Sequence, residues 1–100
     1  MLYYTQLVFV HEGQEATFED FEVHVLPLLG RHGGQLLYRV RPGRPAVLET
    51  AIDYPYEIHL VAFPARADFE AYRDDPERMQ YTPFKDKSVG KVMLIEGKLL

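Results

Sequence analysis

The order in which strand and helix patterns follow one another constrains this chain more than any other feature of its sequence. Strand-like composition and alternation span Leu2–Val10, Gln35–Arg41, Tyr56–Phe63 and Val89–Glu96, with helical spacing between the first two segments and between the last two. Two strand-helix-strand units joined by a hairpin fold most simply into a four-stranded antiparallel sheet with both helices on one face. The sequence therefore predicts a single α+β domain of βαββαβ type over residues 1–100.

The first helix is predicted from about Thr17 to about Arg31. Thr17 followed by Asp20 resembles a capping box at its start, and Pro27 predicts a kink because proline removes one backbone donor. A glycine just past the last turn adopts the left-handed conformation at little cost, so we expect the helix to end at Gly33. The apolar stripe of this helix consists of Phe18, Phe21, Val25 and Leu28.

Prolines and one aspartate mark the boundaries in the second half of the chain. We interpret Ala46–Thr50 as a continuation of the second strand after a bulge or turn. Pro64 is well placed as the first residue of the second helix. Asp75 resembles a fresh N-cap that restarts a helical turn through Met79, and Pro83 is expected to stop that turn.

Both faces of the predicted sheet carry large apolar side chains. The third strand directs Ile58 and Leu60 to one side and Val61 and Phe63 to the other. Monomers rarely leave an apolar face of that size uncovered, so we expect a second copy, related by a two-fold axis, to cover the face without helices. The prediction is a homodimer that pairs through its sheet. The residues expected in buried packing, at the helix layer or the mate, are Phe9, Leu37, Val61 and Ile95.

Composition argues against several classes of function. The formal net charge is -4, and nucleic-acid binding needs clustered Lys and Arg, so no nucleic-acid partner is expected. The chain has no cysteine, which excludes disulfides, thiolate metal sites and a cysteine nucleophile. No apolar run is long enough to span a bilayer, so no membrane partner is expected. Met1–Val10 lacks the basic start and the cleavage site of a signal peptide, which makes the cytoplasm the expected compartment.

Three segments resemble a known structural family. They are the helix end Leu26–Leu37 with its glycine pair, the corner Ala62–Arg66 after the third strand, and the closing segment Met93–Gly97. In these segments the chain is similar to the dimeric α+β barrel superfamily, and most similar to the bacterial family called domain of unknown function thirteen-thirty. The resemblance implies a ferredoxin-like monomer whose sheet packs on that of a second copy. It implies no established activity, because the superfamily includes cofactor-free monooxygenases, haem-degrading enzymes and small-ring isomerases.

Four residues are candidates for a ligand site. His59 lies mid-strand on the face with Glu57, and Arg39 of the neighbouring strand could share that face. Such a group can orient and protonate a small acidic or phenolic ligand, although a buried histidine bonded within the dimer contact would show the same pattern. His24 borders the helix stripe and could face the cleft or the solvent. Tyr38 is one of seven tyrosines that could line a pocket or pack as cross-strand pairs.

No pattern in the chain predicts a metal site or a cofactor. The four histidines lack the short paired spacing of metal ligands, so a metal site would need them to converge by folding alone. The glycines at 30, 33 and 34 end a helix instead of opening one, which argues against a phosphate-binding loop.

Two hypotheses on function follow from different classes. The first is an enzyme or binding protein that takes a small organic acid or aromatic molecule in a pocket beside the sheet. The second is a non-catalytic dimeric module. His59 with Arg39 favours the first, whereas Ala62 and Arg78, where the resembled family often has an acidic and an aromatic residue, favour the second.

Overall fold

The computed structural model describes residues 1–100. The four strands are β1 (Leu2–Val10), β2 (Gln35–Val40), β3 (Glu57–Phe63) and β4 (Val89–Gly97). The α-helices are α1 (Glu15–Val25), α2 (Arg66–Arg73), α3 (Pro76–Met79) and α4 (Thr82–Ser88), and two short 3₁₀ helices span Leu26–His32 and Arg44–Ala46. No helix combines the length and the apolar character that crossing a membrane requires.

The strands form one antiparallel sheet in the order β2-β3-β1-β4. This arrangement confirms the predicted βαββαβ topology. The register places Tyr4 opposite Val61 and Gln6 opposite His59, so alternate side chains of the central strands point to the same side. Because the helices cover that side, we call it the helix-side face, and the opposite side the outer face.

Two apolar clusters join the helices to the helix-side face. The first comprises Tyr4, Leu28, Leu29, Val61, Phe63 and Tyr72. The second comprises Val8, Phe18, Phe21 and Val25. The apolar stripe predicted for the first helix therefore packs on the sheet as expected, and these clusters supply the burial that holds the helices in place.

The outer face is partly exposed in the single chain. Met93, Ile95 and Tyr38 are exposed there, and Ile95 keeps 50% of its surface. Of the four side chains expected in buried packing, Phe9 and Val61 are buried, whereas Leu37 and Ile95 are exposed in the isolated protomer. Burial of the last two would require a partner.

The boundaries of the first helix differ from the prediction. Helix α1 begins at Glu15 with Gln14 as N-cap, so the capping box is wrong, and the Thr17 hydroxyl donates to the side chain of Gln14 over 3.0 Å. The α-helix ends at Val25 and continues as a 3₁₀ turn that contains Pro27. A proline lacks the donor of an α-helical bond, and the tighter turn absorbs that loss. The predicted stop at Gly33 is confirmed by its φ of 73°.

Three boundaries in the second half also need correction. No strand follows the 3₁₀ turn Arg44–Ala46, so the predicted continuation of β2 is wrong. Pro64 precedes α2, which begins at Arg66, and Pro83 lies in the first turn of α4 instead of stopping a helix. The N-cap at Asp75 is confirmed, because its side chain accepts a 2.8 Å hydrogen bond from the backbone N–H of Glu77.

Candidate functional site

A cavity of about 250 Å³ lies between the helix-side face and the helices. Fourteen of its 20 lining residues are hydrophobic, and both apolar clusters contribute to its wall. The side chains that can carry charge around it are Glu22, His59, Arg73, Arg78 and Lys85. An apolar hollow with a few polar groups directed into it is the usual form of a small-molecule site.

Next to the cavity, the buried Glu57 is the centre of a group of charges that extends to the surface. Its carboxylate accepts hydrogen bonds from Arg39 Nε at 2.9 Å and from Arg41 Nε at 3.0 Å, and it contacts His59 Nε2. Glu19 of α1 pairs with both arginines. We call Glu57, His59, Arg39, Arg41 and Glu19 the paired cluster.

The strand geometry explains why these groups meet. Glu57 and His59 are two residues apart on β3 and therefore share the helix-side face. Arg39 of β2 is the register partner of His59, which brings its guanidinium to the same side. Burial alone would raise the pKa of Glu57, but the hydrogen bonds from His59, Arg39 and Arg41 outweigh burial and lower this pKa to about 2.

Glu22 approaches the paired cluster from α1 but has no such partner. Its side chain is buried, and Oε2 lies 3.8 Å from His59 Nε2 without accepting any hydrogen bond. Burial raises the pKa of this carboxyl to about 7, against the lowering effect of His59 and with the help of the negative charge of Glu57. The residue was missed at the sequence level, although its position offered a signal. It lies four residues after Phe18 and three before Val25, in the middle of the apolar stripe.

Two cations of the cavity wall also lack a carboxylate partner. Arg78 donates through Nη1 to the backbone oxygen of Arg73 at 3.2 Å, while its Nε is buried and has no hydrogen-bond partner. Its guanidinium lies 4.9 Å from the centre of the Tyr72 ring. Burial lowers the pKa of Lys85, and the neighbouring charge of Arg78 lowers it further. We call Arg78 and Lys85 the cation pair.

The structure brings together two of the four predicted site residues. His59 lines the cavity, and Arg39 lies beside it but is directed to Glu57 and does not line the cavity. His24 is exposed on α1, where its Nδ1 lies 2.6 Å from the backbone oxygen of Asp20 and its ring stacks on Tyr81. Tyr38 lies on the outer face, away from the cavity, with 52% of its surface exposed.

The residue types that bind metal ions also meet beside the cavity, namely Glu22, Glu57 and His59. One ligand atom of each lies within 4.8 Å of the others, a convergence that sequence spacing could not reveal. However, both oxygens of Glu57 already accept hydrogen bonds from arginines, and a ligand in that state has little capacity left for a cation. The charges in the paired cluster balance as they stand, so the geometry favours a hydrogen-bonded network.

Comparison with solved structures identifies the type of fold. No family model matches the chain, and no curated protein matches it in sequence. Among solved structures, a dimeric ferredoxin-like protein of unknown function from Jannaschia is similar over 98% of each chain, with a TM-score of 0.71 and 15% identity. The fold is ferredoxin-like.

Two further structures are similar over nearly all of this chain. A protein of unknown function from Rhodopseudomonas palustris has a TM-score of 0.82 and 15% identity, over 99% of this chain and 82% of that one. A protein from Nitrosomonas europaea, named as a candidate antibiotic biosynthesis monooxygenase, has a TM-score of 0.69 and 14% identity, over 100% of this chain and 99% of that one. At these identities the likeness shows the fold alone, and function has to be argued from the site.

Proposed function

We propose that this protein binds a small organic acid in the cavity, with the anionic group at the cation pair and the apolar body among the aromatic and aliphatic side chains of the wall. The observation that carries the proposal is the buried Nε of Arg78, which has no hydrogen-bond partner and lies in the wall of an apolar cavity. Buried polar groups in folded proteins are nearly always hydrogen-bonded, so an orphaned donor indicates a missing partner. A carboxylate or phenolate oxygen would be that partner.

The charges and the size of the cavity support an acid in particular. Arg78 and Lys85 repel each other, and neither forms an ion pair with a carboxylate of the chain. An anion between them would relieve this repulsion. The volume of about 250 Å³ lies below the roughly 300–1,000 Å³ of sites for drug-sized ligands, so the ligand is a small molecule.

Thermal shift measurements with a panel of aliphatic and aromatic carboxylic acids and phenols test this proposal. Lys85→Met and Lys87→Met form a matched pair, because both remove one lysine from α4 but only Lys85 lines the cavity. We expect at least one acid to raise the melting temperature of the parent protein and of Lys87→Met, and to lose most of that effect in Lys85→Met. The proposal is wrong if no acid stabilises the parent, or if both variants respond alike.

The same ligand panel separates this proposal from the alternative of a non-catalytic dimeric module. The closed hydrogen bonding around Glu57 supports that alternative, because such a network can serve to fix the structure alone. A module of this kind would show no stabilisation by any compound.

We also propose that the protein is a homodimer that pairs through its outer face. Exposed Tyr38, Met93 and Ile95 support this, together with the structural neighbour from Jannaschia, which is described as dimeric. Light scattering at micromolar concentration is expected to give the mass of a dimer. Ile95→Lys should shift the mass toward the monomer, whereas Leu48→Lys, at an exposed position outside the sheet, should not. A stable monomer of the parent protein would contradict this assembly.

The narrower resemblance to the bacterial family of domain of unknown function thirteen-thirty stays a prediction. It is supported by the glycine pair after the first helix, the corner Phe63-Pro64 and the closing Glu96-Gly97.

A further inference from the structure

The carboxylates near His59 differ in whether an arginine pairs with them. The carboxylates of Glu19 and Glu57 are balanced by Arg39 of β2 and by Arg41, which directly follows β2. Glu22 is left over, because its Oε2 lies 3.8 Å from His59 Nε2, and that nitrogen already contacts Glu57. A buried carboxylate oxygen without a hydrogen bond is costly, and this cost favours the protonated form of Glu22.

The proton of the Glu22 carboxyl is the one that can exchange with a bound molecule. The charged and titratable groups that face Glu22 from the surrounding elements are Glu57 and His59 of β3, Arg39 of β2, Tyr72 of α2, Arg78 of α3 and, across the cavity, Lys85 of α4. Burial outweighs their combined effect and keeps the pKa of Glu22 near 7. A carboxyl of this kind is present in both its acidic and its basic form at neutral pH, which suits a general acid-base group.

The position of Glu22 relative to the cation pair defines what can react. Both line the same cavity, and the Oε2 of Glu22 has no hydrogen-bond partner within the protein. An organic acid held by its carboxylate at Arg78 and Lys85 would extend its neighbouring carbon atoms into the apolar space that Glu22 borders.

We infer that Glu22 exchanges a proton with the bound acid, and that the substrate class is 2-oxo acids with an apolar side chain. This inference rests on the proposed function, since it requires an acid in the cavity. In a 2-oxo acid the carbonyl is adjacent to the carboxylate, so the cation pair that holds the carboxylate also lies near the carbonyl oxygen. These cations can stabilise the negative charge that develops there.

The reaction is a keto-enol interconversion that needs no further reactant. The C–H bond at C3 breaks and its proton moves to the Glu22 carboxylate. The electron pair of that bond forms the C2–C3 double bond, and the pair of the carbonyl π bond moves to oxygen to give an enolate. Return of a proton from Glu22 to C3 restores the keto form. Return to oxygen gives the enol.

Exchange of the C3 hydrogens for deuterium tests the inference. The probe is 4-methyl-2-oxopentanoate in D₂O, followed by proton NMR, and 4-methylpentanoate serves as a competitor that lacks the oxo group. We expect the parent protein to accelerate exchange, 4-methylpentanoate to inhibit it, and the rate to rise with pH through a midpoint well above the ordinary carboxyl pKa of 4.5.

Variants on α1 assign the proton transfer to Glu22. Glu22→Gln should lower the exchange rate at least about hundredfold while it still binds the acid in thermal shift. Asp20→Asn removes an exposed carboxylate from the same helix and should leave the rate unchanged. Full exchange in Glu22→Gln overturns the inference. So does a requirement for Mn²⁺ or Zn²⁺, shown by loss of exchange with a chelator, because a metal would then polarise the carbonyl.

Two results separate this inference from the proposed function. Acids that stabilise the protein without any exchange at C3 leave the binding proposal standing and refute the proton transfer. An absence of stabilisation by every acid refutes both.

Discussion

Two groups of charged side chains lie next to each other beside the sheet. They differ in whether their hydrogen-bonding groups have partners within the protein. In the paired cluster, each carboxylate contacts a guanidinium, and Glu57 is fully buried with all of its partners in place. The wall of the neighbouring cavity holds Glu22 with an unbonded oxygen and Arg78 with an unbonded nitrogen.

The difference shows which buried charges serve the fold and which serve a ligand. Charges with complete hydrogen bonding stabilise the arrangement of β2, β3 and α1 and leave nothing for another molecule. Charged groups without partners reduce the stability of the empty protein. Such groups are retained where ligand binding or a reaction offsets that loss of stability. Substitutions in the two groups should therefore act in opposite directions.

The largest effect is expected for Glu57→Gln. The change keeps the shape of the side chain but removes the carboxylate that Arg39 and Arg41 share, and the loss of two charge-assisted hydrogen bonds costs about 4 kcal/mol. Glu19→Gln is the matched control, because it removes a partly exposed carboxylate from the same two arginines and should cost less than about 1 kcal/mol. Urea denaturation at pH 7 measures both free energies of unfolding. Equal losses would show that the paired cluster is not organised around Glu57.

Glu22→Gln should stabilise the protein at high pH, whereas Glu57→Gln should destabilise it. The pKa of Glu22 is raised from 4.5 to about 7 in the folded protein, so the folded state keeps a proton that the unfolded chain loses. Stability therefore falls as pH rises from about 4.5 to 7, by up to about 3 kcal/mol. Glu22→Gln removes this loss and should be more stable than the parent at pH 8. Denaturation curves from pH 4.5 to 8 measure the slope, and an unchanged slope would show that Glu22 titrates normally.

A smaller difference in stability is expected between Arg39→Leu and Arg78→Leu. Loss of Arg39 breaks its bond to Glu57 and its ion pair with Glu19, and we expect a loss of about 2 kcal/mol whether or not a ligand is present. Loss of Arg78 breaks no ion pair, and leucine retains the apolar contact with Tyr72, so stability should change by less than about 1 kcal/mol. Only Arg78→Leu should abolish stabilisation by organic acids. Thermal shift with and without acid compares the two, and the reverse pattern would assign the anion to Arg39.

The order of elements and the faces of the strands were predictable because they depend on local periodicity. Leu2–Val10 was predicted as the first strand and is observed with the same bounds. Glu57, His59 and Arg39 were expected to share a face, and they do, because residues two apart on a strand point the same way.

What could not be predicted depends on packing between distant segments. The role proposed for Arg78 and Lys85 depends on the packing that brings α3 and α4 to one cavity, and neither residue belongs to a recognisable motif. The irregular pairing between Phe9 and Val10 also shifts the register at the start of β4, where Val89 packs against the second apolar cluster. Glu22 was within reach of sequence reasoning, since a charged residue in the centre of an apolar stripe requires an explanation.

The placement of the cavity on the helix-side face has a consequence for stoichiometry. In a dimer that pairs through the outer faces, two sheets would separate the cavities, and each would open toward its own helices. Neither bound acid could touch the other protomer, and the shared interface would contain none of the groups that hold it. A titration should therefore give two equivalent molecules per dimer and an isotherm with one dissociation constant, free of cooperativity.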